Sequence, residues 1–299
     1  MSMGMRDDTP ADSWGFAEGD AITDDLTAIK LLGGGTTYEA YLAFDDVTYA
    51  PTVVKVVRPH RVDDESSLRG LAREVDALSM VNHHVVARGL RAVLDGDRPH
   101  VVLEAIDGPR LSTLIRRYGP LPEQQYLPLG IELASAMHYF RRRGLVHLDI
   151  KPSNIIMGAP ARLIDLSVAR AVEDAELLDF AVGTDAYMAP EQCHPPTSGT
   201  PGFASDIWGV GATLFHAIAG YRPFDEGDPE ADDPAARYPQ LANLSYSLPE
   251  TVASDVSKIV LAALEPDPAN RPLPHELAEG LQPALERAPK GRLAGWKVR

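Results

Sequence analysis

The sequence predicts an α+β fold of two lobes, in which a small antiparallel sheet with one main helix precedes a larger helical lobe. Between residues 23 and 104, short apolar runs alternate with Gly- and Asp-containing turns, a pattern typical of strands and hairpins. Between residues 105 and 287, apolar residues recur at steps of three and four, which is typical of helices. Residues 1–22 are rich in Gly, Asp and small polar residues and predict a disordered segment, and residues 288–299 form an expected tail.

The smaller lobe is expected to contain five strands and one helix. A glycine turn at 33–37 joins the first two strands into a hairpin, and Lys55 interrupts a third run that is otherwise β-branched. The helix is expected over 65–80, because Leu71 and Leu78 fall on one helical face. The strands are expected at 26–32, 38–43, 52–57, 88–94 and 100–104.

The larger lobe is expected to be helical from Leu111 onward. Pro128 falls in the early turns of its first long helix, which leaves two starts open, Glu123 and Pro128 itself. The segment 204–220 is apolar nearly all round, so it predicts a helix buried at the centre of the lobe. Acidic residues and prolines at 225–235 predict a solvated loop, and the lobes are expected to meet near 104–108 with a cleft at that hinge. Long helices are expected over 123–143, 204–220, 251–264 and 274–285.

Composition excludes several classes of protein. The 299 residues carry a net charge of −15 without a basic stripe, which argues against a nucleic-acid partner. The single cysteine, Cys193, excludes an internal disulfide framework. No run approaches the length of a membrane span, and the acidic N-terminus is not a signal peptide, so a cytoplasmic location is expected. The basic C-terminal residues fit a frayed tail or the juxtamembrane part of a longer protein, and the oligomeric state is left open.

One stretch, H-L-D-I-K-P-S-N beginning at His147, carries the residue types that phosphoryl transfer from ATP requires. Asp149 would accept a hydroxyl proton, and Lys151 would contact the transferring phosphate. Asn154 and Asp165 would hold Mg²⁺, with Mn²⁺ as an alternative ion. Two apolar runs around a Gly/Pro break separate Asn154 from Asp165, and they predict a short hairpin that brings the two residues together.

These residues resemble the protein kinase family, whose pattern is H-R-D-x-K-x-x-N followed by D-F-G. Leu148 stands in place of the arginine, and Leu166 and Ser167 stand in place of Phe-Gly. The glycine loop that ends at Tyr38 resembles the family's G-x-G-x-x-G loop, with the tyrosine at the third glycine.

The resemblance also implies a nucleotide site. Lys55 would pair with Glu74 on the following helix and position the α- and β-phosphates, although Glu65 is another possible partner. Leu103 would guard a back pocket, and the backbone groups of Glu104 and Ile106 would bond the adenine edge. Ala40, Val53 and Ile156 would sandwich the ring. The residues expected around ATP are Leu32, Gly33, Gly34, Gly35, Ala40, Val53, Lys55, Leu103, Glu104, Ile106 and Ile156.

The segment G-T-D-A-Y-M-A-P-E, which ends at Glu191, is similar to the end of the kinase activation segment. By that resemblance Thr184 contacts the catalytic Asp and Lys, as in serine/threonine-specific members. Glu191 would pair with Arg271, and Asp206 would anchor the backbone of the catalytic loop. The matches span about 26–286, which implies a two-lobe protein kinase fold.

The resemblance therefore implies a serine/threonine protein kinase that uses ATP and Mg²⁺, acts on protein substrates and phosphorylates itself. Tyr38, Leu148 and Ser167 motivate a rival hypothesis, a pseudokinase that binds nucleotide as a scaffold without transferring phosphate. A small-molecule kinase of the same fold is a second rival, but the segment ending at Glu191, with Arg271, belongs to peptide-docking kinases.

The sequence also bears on regulation. In members with H-R-D, the arginine commonly meets a phosphate on the activation loop, and Leu148 cannot make that contact. Residues 171–182 contain no Ser, Thr or Tyr. Because the phosphate's receptor and its attachment site are missing together, we expect activity that does not require activation-loop phosphorylation.

Overall fold

The computed structural model describes residues 12–288, and it has the α+β fold that the sequence predicts: an antiparallel sheet followed by a mainly helical region. The strands are β1 (Ala21–Thr23), β2 (Leu26–Gly34), β3 (Tyr38–Asp45), β4 (Ala50–Val57), β5 (Gly89–Val93), β6 (His100–Glu104), β7 (Leu145–Val146), β8 (Ile155–Ile156), β9 (Arg162–Leu163) and β10 (Arg170–Ala171). The α-helices are α1 (Glu65–Met80), α2 (Leu111–Tyr118), α3 (Glu123–Arg142), α4 (Val172–Ala175), α5 (Pro190–Cys193), α6 (Pro195–Ser198), α7 (Phe203–Ala219), α8 (Pro234–Arg237), α9 (Ser254–Ala262) and α10 (Pro274–Arg287). Short 3-10 helices span Pro59–Arg61, Pro152–Asn154, Pro239–Leu241 and Pro268–Asn270.

The described residues form two compact units. The first unit holds residues 12–82 together with Ala87–Asp107 and Asp165–Ser167. The second unit holds His83–Val86, Gly108–Ile164 and residues 168–288.

The first unit is built on a six-stranded sheet with the order β1-β2-β3-β4-β6-β5, in which neighbouring strands pair antiparallel. Successive side chains point to opposite faces of a strand, so Lys55 on β4 faces away from Val54 and Val56. Helix α1 packs against β4, β5 and β6, and its bounds are those predicted. One face of the sheet carries a buried core of Ile22, Leu26, Ala28, Tyr41, Ala43, Val54, Val56 and Val102.

The segment before β1 covers that core, which corrects the prediction of disorder over 1–22 for its described part. Trp14 stacks on Phe16 with ring centroids 5.8 Å apart, and both rings pack against the buried cluster. The indole N–H of Trp14 donates to the backbone oxygen of Val57 at 2.8 Å, and the Arg98 guanidinium lies 5.2 Å from the Trp14 ring. The polar composition of the segment hid two aromatic anchors. Residues 1–11 lie outside the described residues.

Arg91 on β5 joins two acidic residues near the ends of β2 and β3. Its guanidinium makes two hydrogen bonds to Asp45, of 2.6 and 2.7 Å, and one of 2.8 Å to Asp25. Asp45 is fully buried, and the Thr48 hydroxyl also donates to it at 2.8 Å. Hydrogen bonding from Arg91 outweighs the effect of burial and lowers the pKa of Asp45 to about 2. The pair therefore holds the carboxylate ionised inside the first unit.

The second unit is organised around α7, which is buried along its whole length except at Phe203, Ala204 and His216, as its apolar sequence predicts. Helix α3 packs against α7 and α10. It begins at Glu123 and continues through Pro128, so the earlier of the two predicted starts is the observed one. A proline in a helix removes one backbone hydrogen bond. Burial of the apolar side of α3 outweighs that loss.

Several short elements of the second unit escaped prediction, because two to four residues carry no periodic signal. Strands β7 and β10 pair antiparallel, and α4 to α6 are single turns. The predicted hairpin is present, since β8 pairs with β9 and the Ile164 N–H donates to the Asn154 backbone oxygen at 2.8 Å. The predicted acidic loop at 225–235 ends at Asp233, which caps α8.

No helix within residues 12–288 combines the length and the apolarity needed to cross a bilayer. Of the predicted tail at 288–299, all but Ala288 lies outside the described residues.

Candidate active site

Lys55 and Glu74 form the predicted ion pair in the first unit, with Nζ 2.7 Å from Oε2. The Lys55 ammonium also donates to Asp165 Oδ1 at 2.9 Å. Burial alone would lower the pKa of Lys55, but the two carboxylates outweigh it and hold the pKa well above its usual range. The other candidate partner, Glu65, pairs instead with Arg69 on the surface of α1. The lysine is therefore a fixed, protonated cation.

Asp165 is held in an orientation that suits a metal ligand. Its backbone has φ of 67°, a left-handed conformation uncommon outside glycine, and its carboxylate also accepts the Ser167 N–H at 3.3 Å. Burial would raise the pKa of Asp165, but Lys55 keeps it well below its ordinary value. Its side chain is 36% exposed, so an ionised oxygen ligand remains accessible.

In the second unit, four predicted residues form one hydrogen-bonded cluster around the Asp149 carboxylate. The Thr184 hydroxyl donates to Oδ1 at 2.7 Å, and the Lys151 ammonium lies 2.7 Å from Oδ2. The Asn154 amide donates to the same carboxylate at 3.0 Å and to the Asp149 backbone oxygen at 2.9 Å. Lys151 also donates to the Thr184 hydroxyl at 2.5 Å. Each donor therefore fixes the carboxylate through a short contact.

The residue types at 154 and 165 fit Mg²⁺, which takes oxygen ligands and is usually held by one or two protein groups together with substrate phosphates. Because the Asn154 amide nitrogen is committed to Asp149, the amide oxygen is the atom left to act as a ligand. Asp165 supplies the ionised carboxylate. The predicted approach of these two residues, which belong to different units, stays a prediction.

Asp206 anchors the backbone that carries Asp149, as the resemblance implies. Its two carboxylate oxygens accept the N–H groups of His147 and Leu148, both at 2.8 Å. Burial raises the pKa of Asp206 to about 7, opposed by these two N–H donors. Leu148 has φ of 62°, so the chain turns sharply just before Asp149. A buried acid on α7 thus fixes this turn.

The Leu148 side chain lies in an apolar cluster rather than in solvent. It is 3% exposed and packs with residues from β7 and from the chain between Val168 and Val182. The same stretch of chain is joined to β7 by strand β10. We call this set the Leu148 cluster: Val146, Leu148, Ala175 and Val182, with Val168, Val172, Leu178 and Phe203 partly buried against them.

A buried amide links the same two segments. Gln192 Nε2 donates to the backbone oxygens of Leu148 and Val182, each at 2.8 Å. Gly183 follows Val182 with φ of 129°, and a Cβ there would lie 2.8 Å from the Leu148 oxygen. The close approach of the two backbones therefore requires glycine at 183.

The glycine loop lies between β2 and β3 of the first unit. Gly33 has φ of 140°, and a Cβ on Gly34 would lie 2.5 Å from the backbone oxygen of Tyr38. The Arg58 Nε donates to the Gly35 oxygen at 2.7 Å, and its guanidinium also bonds the buried Glu39 at 3.0 Å. The loop is therefore tied to the end of β4, and Leu32 is exposed beside it.

The residues predicted to hold the adenine ring divide between the units. Val53 pairs with Leu103 across β4 and β6, and both are half-buried, as is Ala40. Glu104 is the last residue of β6, and its carboxylate accepts a hydrogen bond from the backbone N–H of Arg88 at 2.8 Å. Ile106 follows β6 in the first unit, whereas Ile156 belongs to β8 of the second. Their joint role around a nucleotide stays a prediction.

Glu191 and Arg271 make a fully buried, bidentate ion pair, with N–O distances of 2.6 and 2.9 Å. Arg271 also donates to the backbone oxygens of Glu265, Ala204 and Pro266. The Ser205 hydroxyl donates to Glu191 at 2.6 Å. The predicted pair is therefore present, and its polar atoms are largely satisfied.

Comparison with known proteins assigns the fold and these motifs to one family. The model of the protein kinase domain matches residues 26–280, most of the chain. The chain belongs to the protein kinase family. By its motifs, the stretch at Asp149 corresponds to the family's catalytic loop and the chain from Asp165 to Glu191 to its activation segment, and both lie within the matched residues.

The chain is similar to serine/threonine kinases of plants and bacteria. It is 28% identical over 255 residues to CBL-interacting serine/threonine-protein kinase 9 of Arabidopsis thaliana, covering 84% of this chain and 56% of that protein. It is 27% identical over 263 residues to serine/threonine-protein kinase PknB of Mycobacterium leprae, covering 84% of this chain and 41% of that protein. The chain thus spans about half the length of the curated relatives it matches.

The contacts of three residues, Gln192, Arg58 and Glu39, were not predicted from the sequence. Gln192 carried no motif signal of its own, and Arg58 and Glu39 are ordinary charged residues in a strand-rich region. What the sequence did offer was Glu39, an acid within the alternating apolar run of β3, which is costly to bury unless it is paired. Its partners include Arg58 and the backbone N–H of Trp14, which only the tertiary fold brings to it.

Proposed function

We propose that this kinase transfers the γ-phosphoryl group of ATP to serine or threonine hydroxyls of protein substrates and of itself. One observation carries the proposal: the Asp149 carboxylate is held by Lys151, Thr184 and Asn154 in a single cluster. The family and its serine/threonine relatives support the reaction class. Thr184 supports the choice of hydroxyl, because it occupies the position expected in serine/threonine-specific members.

The roles follow from the chemistry of each group. Asp149 accepts the proton of the substrate hydroxyl, since its carboxylate is oriented by three donors. Lys151 stabilises the charge of the phosphoryl group, and Lys55, fixed by Glu74, binds the α- and β-phosphates. Asn154 and Asp165 would hold Mg²⁺, with Mn²⁺ as an alternative, and the ion neutralises the developing phosphate charge. The glycine loop, Ala40, Val53, Leu103 and Ile156 would surround the nucleotide.

The Leu148 cluster supports the further proposal that activation-loop phosphorylation is not required. In many kinases a phosphate on the loop orders it through charge-assisted contacts. Here apolar packing around Leu148, the β7–β10 pairing and the Gln192 bridge hold the same segment without a phosphate. We propose only the class of the physiological substrate, which is proteins with accessible hydroxyls. The cytoplasmic location stays a prediction.

A phosphotransfer assay with radiolabelled ATP, casein and the protein itself tests the proposed function. Wild type should label casein, whereas Asp149→Asn should bind ATP normally and lose about 10²–10⁴-fold in rate, because only the proton acceptor is removed. Lys55→Met should lose transfer and weaken ATP binding. The matched controls, Asp95→Asn and Lys258→Met, change exposed residues and should keep wild-type rates.

The same assay separates the kinase from the pseudokinase. ATP binding without label transfer by the wild type, at any Mg²⁺ or Mn²⁺ concentration, would favour the nucleotide-binding scaffold. If Asp149→Asn transferred phosphate at the wild-type rate, Asp149 would not be the proton acceptor of the reaction.

A further inference from the structure

Tyr38 stands where the protein kinase loop usually has its third glycine, and its side chain crosses from the loop to helix α1. The phenol oxygen donates to the backbone oxygen of Ser67, in the first turn of α1, at 2.8 Å. Burial is the main reason that the pKa of Tyr38 rises to about 12, so the hydroxyl remains a donor at physiological pH. The loop and the helix are therefore joined by a hydrogen bond between residues far apart in sequence.

The Tyr38 ring also faces the catalytic lysine. Lys55 Nζ lies 4.8 Å from the ring centroid, within the range of a cation–π contact. The ammonium is thus held by Glu74, by Asp165 and by the tyrosine ring. Tyr38 therefore contacts Lys55 itself and also the helix that carries its partner, Glu74.

A second residue of α1 is matched to the tyrosine. Gly70 lies inside the helix, where glycine is less favourable than alanine. A Cβ at this position would lie 2.7 Å from the Tyr38 hydroxyl and 4.0 Å from Cζ. The glycine therefore leaves the room that the hydroxyl needs to reach Ser67. The large side chain at position 38 thus fills the space that the absence of a side chain at position 70 leaves.

We propose that Tyr38 is a positioning residue, a strap that holds α1 in place so that Glu74 and Lys55 are paired before nucleotide binds. The bond to Ser67 fixes the N-terminal turns of the helix, and the ring fixes the ammonium. Both contacts of Tyr38 lie within the first unit. This inference rests on the proposed ATP-dependent activity for its kinetic consequence but not for its structural one.

The structural test uses hydrogen exchange of α1 amides in the protein without nucleotide. Tyr38→Phe removes only the hydroxyl, and Tyr38→Ala removes the ring as well. Exchange over 65–80 should quicken by about tenfold in Tyr38→Ala and by less in Tyr38→Phe, as expected for the loss of a hydrogen bond and a cation–π contact. Tyr118→Phe, at an exposed tyrosine, is the control and should leave α1 unchanged.

Gly70→Ala gives the sharper test, because its effect on the exchange of α1 amides should be opposite in the wild-type and the Tyr38→Phe backgrounds. In the wild-type background the new methyl group displaces the Tyr38 hydroxyl, so α1 should exchange faster. In the Tyr38→Phe background the nearest ring atom is 4.0 Å away, an ordinary contact, so alanine should protect the helix through its higher propensity. Equal effects of Gly70→Ala in both backgrounds would overturn the strap.

The kinetic test measures the Kd for ATP and the kcat and KM of transfer in the same variants. Tyr38→Ala should raise the Kd for ATP and lower kcat/KM by about tenfold, with Tyr38→Phe between it and wild type. Tighter ATP binding in Tyr38→Ala would instead show that the ring obstructs Lys55, and it would refute the proposal. If the wild type transfers no phosphate but the exchange pattern holds, the proposed function fails and the strap stands.

Discussion

Gln192 donates from one amide nitrogen to the backbone oxygens of both Leu148 and Val182, at 2.8 Å each, and so joins the two segments on either side of the Leu148 cluster. One segment leads into Asp149 and the other into Thr184, which bond each other at 2.7 Å. The geometry of the Asp149–Thr184 contact is therefore coupled to the packing of the Leu148 cluster.

Removal of the Leu148 side chain should loosen the activation segment. Leu148→Ala should lower the free energy of unfolding by about 2–5 kcal/mol, since Leu148 is 3% exposed and a cavity would remain. It should also lower the transfer rate, because the segment that carries Thr184 loses its support. Leu177→Ala is the matched control on the same segment, where the side chain is 81% exposed and the effect should stay within about 0.5 kcal/mol. Similar losses in both variants would contradict a specific role for the cluster.

Fully dephosphorylated protein should phosphorylate casein without a lag. Between Asp165 and Glu191 the only hydroxyls are Ser167, Thr184 and Tyr187. Thr184 is bonded to Asp149, and the Tyr187 hydroxyl lies 2.7 Å from His216 Nδ1, so both are engaged within the fold. The measurement is the progress curve of protein whose phosphate content is shown to be zero by mass spectrometry. A lag that prior autophosphorylation within 165–191 abolishes would contradict the prediction.

The buried ion pair below the activation segment should be sensitive to loss of either charge. Glu191→Gln leaves the Arg271 guanidinium buried without its counter-ion, and removal of one partner of such a pair typically costs about 3–5 kcal/mol. Urea denaturation followed by tryptophan fluorescence can report this, because Trp208 lies 4.9 Å from the guanidinium. Glu279→Gln, at an exposed acid on α10, should leave the midpoint unchanged. If Glu191→Gln unfolded at the same urea midpoint as wild type, the backbone oxygens alone would be sufficient to satisfy Arg271.

Much of this site could be predicted because kinase chemistry constrains residue types at fixed spacings. Asp149, Lys151, Asn154 and Thr184 lie together as the motifs indicate. Helix α1 was predicted at about 65–80 from the apolar face that Leu71 and Leu78 share, and it runs from Glu65 to Met80. Sequence-based prediction failed where the structure depends on a few contacts between residues that are far apart in the sequence. Trp14 and Phe16 anchor a segment whose average composition indicates disorder.

The departures from the family pattern were visible in the sequence, but their consequences were not. Tyr38 helped to motivate the pseudokinase hypothesis, whereas the structure directs its hydroxyl to Ser67 on α1. Leu148 indicated only that a phosphate receptor was missing. The side chains that pack around Leu148 include Ala175 and Val182, which no local pattern connects to Leu148.

The Arg91–Asp45 pair should make the first unit sensitive to acid. The pKa of Asp45 is about 2 in the fold against an ordinary 3.8, so the pair contributes fully above pH 4, and its contribution falls as pH drops toward 2. The shift corresponds to roughly 2 kcal/mol of unfolding free energy. Asp45→Asn should be less stable than wild type by about this amount at pH 6, and the difference should shrink between pH 4 and pH 2. A difference that is constant across this range would show that the Asp45 charge does not contribute.

Metal dependence should follow from Asp165 and Asn154. Chelation by EDTA should abolish transfer and Mg²⁺ should restore it, and both Asp165→Asn and Asn154→Ala should raise the Mg²⁺ concentration required for half-maximal rate. Ser167→Gly serves as the contrasting variant, because the Ser167 N–H that bonds Asp165 at 3.3 Å belongs to the backbone and survives the substitution. It should change the rate only modestly and leave the Mg²⁺ requirement as it is. Transfer that persists in EDTA with wild-type protein would show that Asp165 is held by Lys55 for a purpose other than binding a metal ion.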